Sequence, residues 1–318
     1  MLPEMLDNNR HPNVKTYNTL IDMYRKEAKV REARAIFDLM RNKGVSPDVI
    51  TYSTFLDGYC LCGQMDEAKN IMDLMINDGC KPNIVTFNTL INWYCKDGNI
   101  GRRANLMVKG GCKPNVFTFN SLINGYCKSR KIDKALALLH EMPLKGLIPN
   151  VVTYTTVIDA LCAQINEAME LFREMENNEV VPNIIAYNVI IDGMCEVGRI
   201  GEAMELFLTL PSKGLHPNSH TYNIIIKGLC KHGFLNEATE ILRSMEDNGC
   251  PPDACTYNTI IRGFLYGKDV SKALECVTTM RRKGAPADVH TISLFVSLIM
   301  DHDVNDSDKA LLHNYFEI

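Results

Sequence analysis

Residues 116–150 read VFTFNSLINGYCKSRKIDKALALLHEMPLKGLIPN, a stretch of 35 residues that opens on Val116 and closes on Pro149-Asn150. Nearly the same wording recurs before and after it. Copies start at Val14, Val49, Ile84, Val116, Val151, Ile184, Ser219, Ala254 and Val289, with spacings of 35, 35, 32, 35, 33, 35, 35 and 35. A period of this length marks a helical repeat, whose units stack because none can bury its apolar face alone. The repeats run 14–48, 49–83, 84–115, 116–150, 151–183, 184–218, 219–253 and 254–288, with partial repeats at 1–13 and 289–318.

Each unit reads as two helices, A and B. Helix A opens on Thr and an aromatic residue, as in Thr16-Tyr17, Thr51-Tyr52, Thr118-Phe119 and Thr256-Tyr257. Thr at a helix start can cap free N–H groups, and the sixth repeat, with Ala186 there, should lose about 1 kcal/mol of capping. The aromatic, the Ile four residues on and the Cys four beyond that share one apolar stripe. A turn, glycine-containing in most units (Gly63, Gly98, Gly198, Gly233), leads to helix B. There an Ala such as Ala135 allows close approach, and seven residues later comes Met142 or its equivalent. Pro followed by Asn or Asp then ends the unit, because Pro cannot continue a helix. Two units are short: the third around Arg102–Gly110, the fifth in the turn around Ala163-Gln164. Counting back from Pro12-Asn13 puts Met1 at repeat position 23, which suggests a fragment or truncated form of a longer array.

Composition fits a globular protein: 46% apolar, 23% charged and a mean hydropathy of −0.10 over 318 residues. No apolar run approaches the ~20 residues of a membrane span, and MLPEMLDNNR has no leader pattern. The net charge of −4 and pI of about 6.1 lack the basic footprint usual in nucleic-acid binders. The 12 cysteines contain no CxxC pair. Six of them (Cys60, Cys95, Cys127, Cys162, Cys195, Cys230) fall at position 12 of their repeats, where a small core residue is expected, in a reducing compartment. The sequence has no zinc-deaminase, GxSxG, HExxH or phosphate-loop pattern. Carboxylates such as Asp66, Glu67, Glu167 and Glu237 sit where they complement the dipole of helix B. Neither catalysis nor a metal, cofactor or small-molecule substrate is expected.

The informative positions are polar ones. Position 5 carries Asn18, Ser53, Asn88, Asn120, Thr155, Asn188, Asn223 and Asn258. Asn is a mediocre helix former. Its recurrence reads either as helix capping or as one hydrogen-bonding side chain per unit along an inner face. Position 35, after the Pro in most units, carries Asp48, Asn83, Asn115, Asn150, Asn183, Asn218, Asp253 and Asp288. Asp and Asn favour turns there. This position immediately precedes the next helix A and can lie beside position 5.

The phrasing "TYNTLIDGYCK…G…DEA…F..M…G..PN" resembles P-class pentatricopeptide repeat (PPR) arrays, and within them the plant restorer-of-fertility-like subgroup, over residues 14–301. The tetratricopeptide pattern, with its 34-residue unit, does not fit. The resemblance implies an all-α, right-handed α-solenoid that binds single-stranded RNA, one base per repeat, through positions 5 and 35. The implied pairings, protein N-terminus to RNA 5′ end, are these: U for Asn18/Asp48, A for Ser53/Asn83, C or U for Asn88/Asn115 and Asn120/Asn150. They continue with A for Thr155/Asn183, C or U for Asn188/Asn218, and U for Asn223/Asp253 and Asn258/Asp288. The core is 5′-U-A-Y-Y-A-Y-U-U-3′. The family also sandwiches bases between position-2 side chains. Ile50, Val85, Phe117, Val152 and Ile185 fit this, whereas Lys15, His220, Cys255 and His290 depart from it. Lys26, Lys96, Lys128 and Lys231 at position 13 are candidates for phosphate contact. The resemblance further implies organellar transcripts, mitochondrial first and plastid second, with RNA-processing proteins as further partners. A protein-binding scaffold, the alternative, would not need the paired polar positions.

Overall fold

The computed structural model describes residues 12–96 and 113–300. Among them are sixteen α-helices and no strand. In chain order they are α1 (Val14–Lys26), α2 (Val30–Asn42), α3 (Val49–Leu61), α4 (Met65–Asn77), α5 (Ile84–Lys96), α6 (Val116–Lys128), α7 (Ile132–Leu144) and α8 (Val151–Ala160). There follow α9 (Ile165–Asn177), α10 (Ile184–Glu196), α11 (Ile200–Thr209), α12 (Ser219–Lys231), α13 (Leu235–Asp247), α14 (Ala254–Tyr266), α15 (Val270–Arg282) and α16 (Val289–Met300). Every helix A begins at the first residue of its repeat. The chain divides into two compact units, Met1–Val157 and Ile158–Ile318. Within each unit, helix A packs on its own helix B and on the next helix A, and in several repeats helix B also touches the next helix A. The side chain of Lys96, and the shortening around Arg102–Gly110, lie outside the described residues.

The expected stripes form the core. Tyr17, Ile21, Tyr52, Tyr154, Ile158, Ile191 and Ile261 are essentially inaccessible. So are the helix-B alanines Ala68, Ala135, Ala168 and Ala203, and Met40, Met75, Met142, Met175 and Met245. Of the position-12 cysteines, the side chain of Cys95 lies outside the described residues, and Cys60 and Cys195 are buried. Cys162, Cys195 and Cys230 rest against Gly193, Gly228 and Gly263 of the following repeat. Burial pushes the thiols of Cys60, Cys162, Cys195 and Cys230 up to about 12, so they stay protonated and weakly nucleophilic at neutral pH.

The turn geometry is shared even where the glycine is not. Gly63, Gly198 and Gly233 have φ of 70°, 84° and 81°. Ala28, Arg130 and Lys268 hold the same turn at φ of 56°, 55° and 59°, against the steric preference of an L-residue. In the fifth repeat the shortening is taken up at the end of helix A. There α8 stops after 10 residues, where the other complete A helices have 13, and residues 161–164 make the turn.

The helix starts correct one expectation. The N-cap of helix A is the position-35 residue, not the Thr. Asp48, Asn115, Asn218 and Asp253 each accept the N–H of the Thr three residues on, and that Thr hydroxyl accepts the cap's own N–H, closing a capping box. In the sixth repeat Asn183 still caps, accepting from Ile185 N and Ala186 N at 3.1 Å each. Ala186 therefore removes only the reciprocal bond, not the cap.

Candidate nucleic-acid interface

Capping fixes the orientation of position 35. In Asp48 the cap oxygen is Oδ1, 2.8 Å from Thr51 N, and in Asn115 and Asn150 it is Oδ1 at 3.0 and 3.1 Å from Thr118 N and Thr153 N. One arm of each side chain is thereby spent inside the protein. The other arm is a carboxylate oxygen in Asp and an amide NH2 in Asn, an acceptor and a donor respectively.

Position 5 lies beside this cap. Asn18 Nδ2 donates to Asp48 Oδ1 at 3.2 Å, and Asn120 Nδ2 to Asn150 Oδ1 at 3.5 Å. The Asn oxygen faces the other way, towards the threonine of the following repeat. Thr51, Thr118 and Thr153 Oγ1 lie 2.6, 2.8 and 2.7 Å from Asn18, Asn88 and Asn120 Oδ1. Ser53 Oγ meets Thr86 Oγ1 at 3.1 Å in the same way, above the Asn83 cap. Desolvation works against the charged form of Asp48, yet the Thr51 N–H and hydroxyl and the Asn18 amide hold its carboxyl below the usual range. The bond from the Thr256 N–H does the same for Asp253, helped by the Thr256 hydroxyl and the Asn223 amide. Both are carboxylates at neutral pH.

The second unit shows the positions assembled into a cleft of about 440 Å³. It is lined by Asn188 and Asn223 of position 5, Asn218 of position 35, and Ile185, His220 and Cys255 of position 2. Asn188 is 4% exposed, and among the described residues the Oδ1 atoms of Asn188 and Asn223 have no hydrogen-bond partner. Thr221 and Thr256 turn instead to Asn218 Oδ1 and Asp253 Oδ1. The fifth pair, Thr155 and Asn183, is divided between the two units, and each residue is described within its own. Thr155 Oγ1 is likewise buried without a partner. The eighth pair is consumed internally. Asn258 Oδ1 accepts from Asp288 N and its Nδ2 donates to two carbonyls. Asp288 caps Thr291 with Oδ1, and its Oδ2 is 2.7 Å from Arg262.

At position 2 the sequence proposed five apolar clamp residues. Ile50, Val85, Phe117, Val152 and Ile185 are 63%, 57%, 58%, 60% and 60% exposed, a large apolar side chain standing in water in repeats two to six. The lysines of position 13 fare differently. Lys26 pairs with Asp22 at 2.8 Å and Lys231 with Glu196 at 2.7 Å, whereas Lys128 is exposed and has no ion pair among the described residues. Hydrogen bonds from Lys227 and Lys231 hold the Glu196 carboxyl at about 2. Sequence reasoning passed over position 9. Asp159, Asp192 and Lys227 line the cleft there, and Arg262 holds Asp288. The signal was available, since a charged residue recurs inside an otherwise apolar helix.

Stacked helix hairpins, most of them setting a polar position-5 residue beside a capped residue at position 35, define a modular helical-repeat protein. The sequence profile of the PPR repeat family matches residues 12–61, 54–96, 82–128, 114–163, 163–195, 182–231, 221–266 and 253–298, and the chain belongs to that family. Among solved structures it is similar to the pentatricopeptide repeat protein PPR10 in complex with an 18-nt psaJ RNA element. That match has 24% identity and a TM-score of 0.76, and covers 98% of this chain and 46% of the other. A cysteine-to-serine variant of PPR10 with the same RNA element matches with the same values. PPR10 from maize matches at 19% identity and a TM-score of 0.39, over 99% of this chain and 66% of that one. The chain thus spans about half the length of the PPR10 complexes it matches. No curated protein sequence matches it.

Proposed function

We propose that this array binds single-stranded RNA selectively, one base per repeat, by the pairs at positions 5 and 35. The observation that carries the reading is the pair itself. A capped Asp or Asn keeps one polar arm unspent beside a position-5 side chain, with an exposed apolar residue at position 2. An apolar stack and a hydrogen-bonding pair are what an unpaired base requires. The PPR10 structures of the same fold hold an RNA element.

The cap sharpens the base assignment. Asp48 and Asp253 offer an acceptor, suited to the N3–H of uracil. Asn115, Asn150 and Asn218 offer an NH2 donor, suited to the N3 acceptor of cytosine rather than to uracil, so the three pyrimidine positions favour C. The smaller Ser53 and Thr155 leave room for a purine. Within 5′-U-A-Y-Y-A-Y-U-U-3′, the member 5′-U-A-C-C-A-C-U-U-3′ binds best. The protein acts passively, by occupying a tract, blocking nucleases or structure, or recruiting a processing enzyme. The restorer-of-fertility-like phrasing of the repeats carries the assignment to organellar, first mitochondrial, transcripts.

Fluorescence anisotropy with 5′-UACCACUU-3′ and its complement 5′-AAGUGGUA-3′ tests this. The first binds and the second does not. Because Lys26 and Lys231 are held by carboxylates, few phosphates are neutralised. At about −0.7 per phosphate, the slope of log K on log salt is about −2 or shallower. Equal binding of both strands, or of neither, sinks the reading.

Arg262 gives a prediction of its own. Its bond to Asp288 Oδ2 removes the arm that would read the eighth base. The wild-type chain is therefore indifferent to U or C at that base, and Arg262→Ala gains roughly tenfold preference for U, the size of one recovered hydrogen bond. Competition binding with oligonucleotides that differ only at the eighth base measures it.

A further inference from the structure

We infer that the buried threonine at the third position of a repeat is a positioning residue for base selection by the repeat before it. This deepens the RNA reading proposed above and rests on it. A hydroxyl has a single proton to donate. Thr153 Oγ1 accepts the N–H of Asn150 at 3.1 Å, so its lone pairs serve the cap. Its proton has two acceptors in reach, Asn120 Oδ1 at 2.7 Å and Asn150 Oδ1 at 3.0 Å. The nearer one is the amide of the preceding repeat. The same order holds for Thr51, with 2.6 Å to Asn18 against 2.9 Å to Asp48. It holds again for Thr118, with 2.8 Å to Asn88 against 3.0 Å to Asn115.

The amide of Asn120 is thus held from both sides. Asn150 Oδ1 must be an acceptor, because it caps a backbone N–H, so it takes the NH2 side. The Thr153 hydroxyl takes the oxygen side. A flipped amide would set two oxygens against each other and leave the hydroxyl proton without its nearer acceptor. One N–H and one lone pair of Asn120 remain, in a fixed order, for a base. Without the hydroxyl only the longer bond to Asn150 Oδ1, at 3.5 Å, favours that order, and donor and acceptor interchange more readily.

The second unit supplies the internal control. Thr221 is as buried as Thr153, and Asn218 caps it in the same way, but its hydroxyl donates to Asn218 Oδ1 at 3.1 Å and Asn188 Oδ1 has no partner. Thr153→Val and Thr221→Val therefore remove the same reciprocal half of a capping box. Only Thr153→Val removes a bond that orients a position-5 amide.

The test uses the full chain, wild type and both variants, with oligonucleotides that differ at the fourth or the sixth base. Thr153→Val loses roughly tenfold of its preference for cytosine at the fourth base and keeps its preferences elsewhere. Thr221→Val keeps its sixth-base preference within about twofold. In the free protein, the side-chain amide NMR signals of Asn120 shift and exchange faster in Thr153→Val, while those of Asn188 are unmoved in Thr221→Val. An unchanged fourth-base preference in Thr153→Val overturns the inference, as does an equal loss in both variants. If the wild type binds no RNA, the RNA reading falls. Unchanged Asn120 signals in Thr153→Val then overturn the positioning role as well.

Discussion

Gly228→Ala costs the chain about 3 kcal/mol of stability, at the upper end of what an added methyl does in a packed core. A Cβ built on Gly228 lies 2.4 Å from the Sγ and 2.7 Å from the Cβ of Cys195. Neither atom can withdraw. Cys195 is 3% exposed and belongs to α10, so its short side chain has little room to turn aside, and its Cβ moves only with the helix. The clash falls on the contact between α10 and α12, consecutive A helices whose stacking holds the second unit together. Gly201 is the matched contrast. It lies in α11, where nothing stands within 4 Å of an added Cβ. Gly201→Ala therefore stabilises, by up to about 1 kcal/mol, through the helix propensity of Ala alone. Urea unfolding of both variants followed by circular dichroism checks the pair. A small loss in Gly228→Ala would mean that the α10–α12 contact yields. The double variant Gly228→Ala/Cys195→Ala, which removes the closer of the two clashing atoms, recovers part of the loss. In a stacked array the damage also spreads to neighbouring repeats, because each interface is shared.

The same contact shows what was legible in the sequence. Position 12 was read as a small core residue because one residue type recurred there at a fixed period, and a period is a statement about packing. The stripe of Tyr17 and Ile21, and Ala135 with Met142, were read in the same way and form the core. What the sequence left open was which side of each polar residue does what. Thr51 and Asp48 are both good caps, and three residues separate them, so composition alone could not say which was the N-cap. The spacing Asp-x-x-Thr is a capping box with the cap at its first residue, and only the geometry showed that this order holds in repeat after repeat. The positive φ of Ala28, Arg130 and Lys268 was hidden because the eye follows glycine, although alignment with Gly63, Gly198 and Gly233 places them at the same turn. Ion pairs between repeats, such as Lys231 with Glu196, were beyond reading. Two exposed charges 35 residues apart become neighbours only when the stacking is known.

Asp48→Asn moves the first-base preference of the array from uracil to cytosine. The expected shift in the ratio of affinities is about 1–3 kcal/mol, or roughly tenfold to a hundredfold. The substitution changes one atom, and the cap decides which. Oδ1 is held by Thr51 N at 2.8 Å and by Asn18 Nδ2 at 3.2 Å, so it remains the oxygen in either residue. Asn caps a helix about as well as Asp, so the fold stays in place. The change therefore lands on the free arm, which turns from a carboxylate oxygen into an NH2. An acceptor matched to the N3–H of uracil becomes a donor matched to the N3 of cytosine, and the wrong base now leaves a polar group unpaired. Removing a negative charge also strengthens binding to every RNA, which is why the ratio between bases is the measurement and the absolute affinity is not. Competition anisotropy with four oligonucleotides differing at the first base gives that ratio, and thermal unfolding run alongside shows that the cap survives. The reciprocal change, Asn150→Asp, carries the fourth base from cytosine to uracil by the same reasoning. Thr153 keeps its N-cap, and Asn120 keeps its amide between the Thr153 hydroxyl and residue 150. Two opposite substitutions giving opposite shifts at two separate bases cannot arise from altered stability or from charge. If both variants keep the wild-type preferences while their caps are intact, position 35 serves as a cap and nothing more.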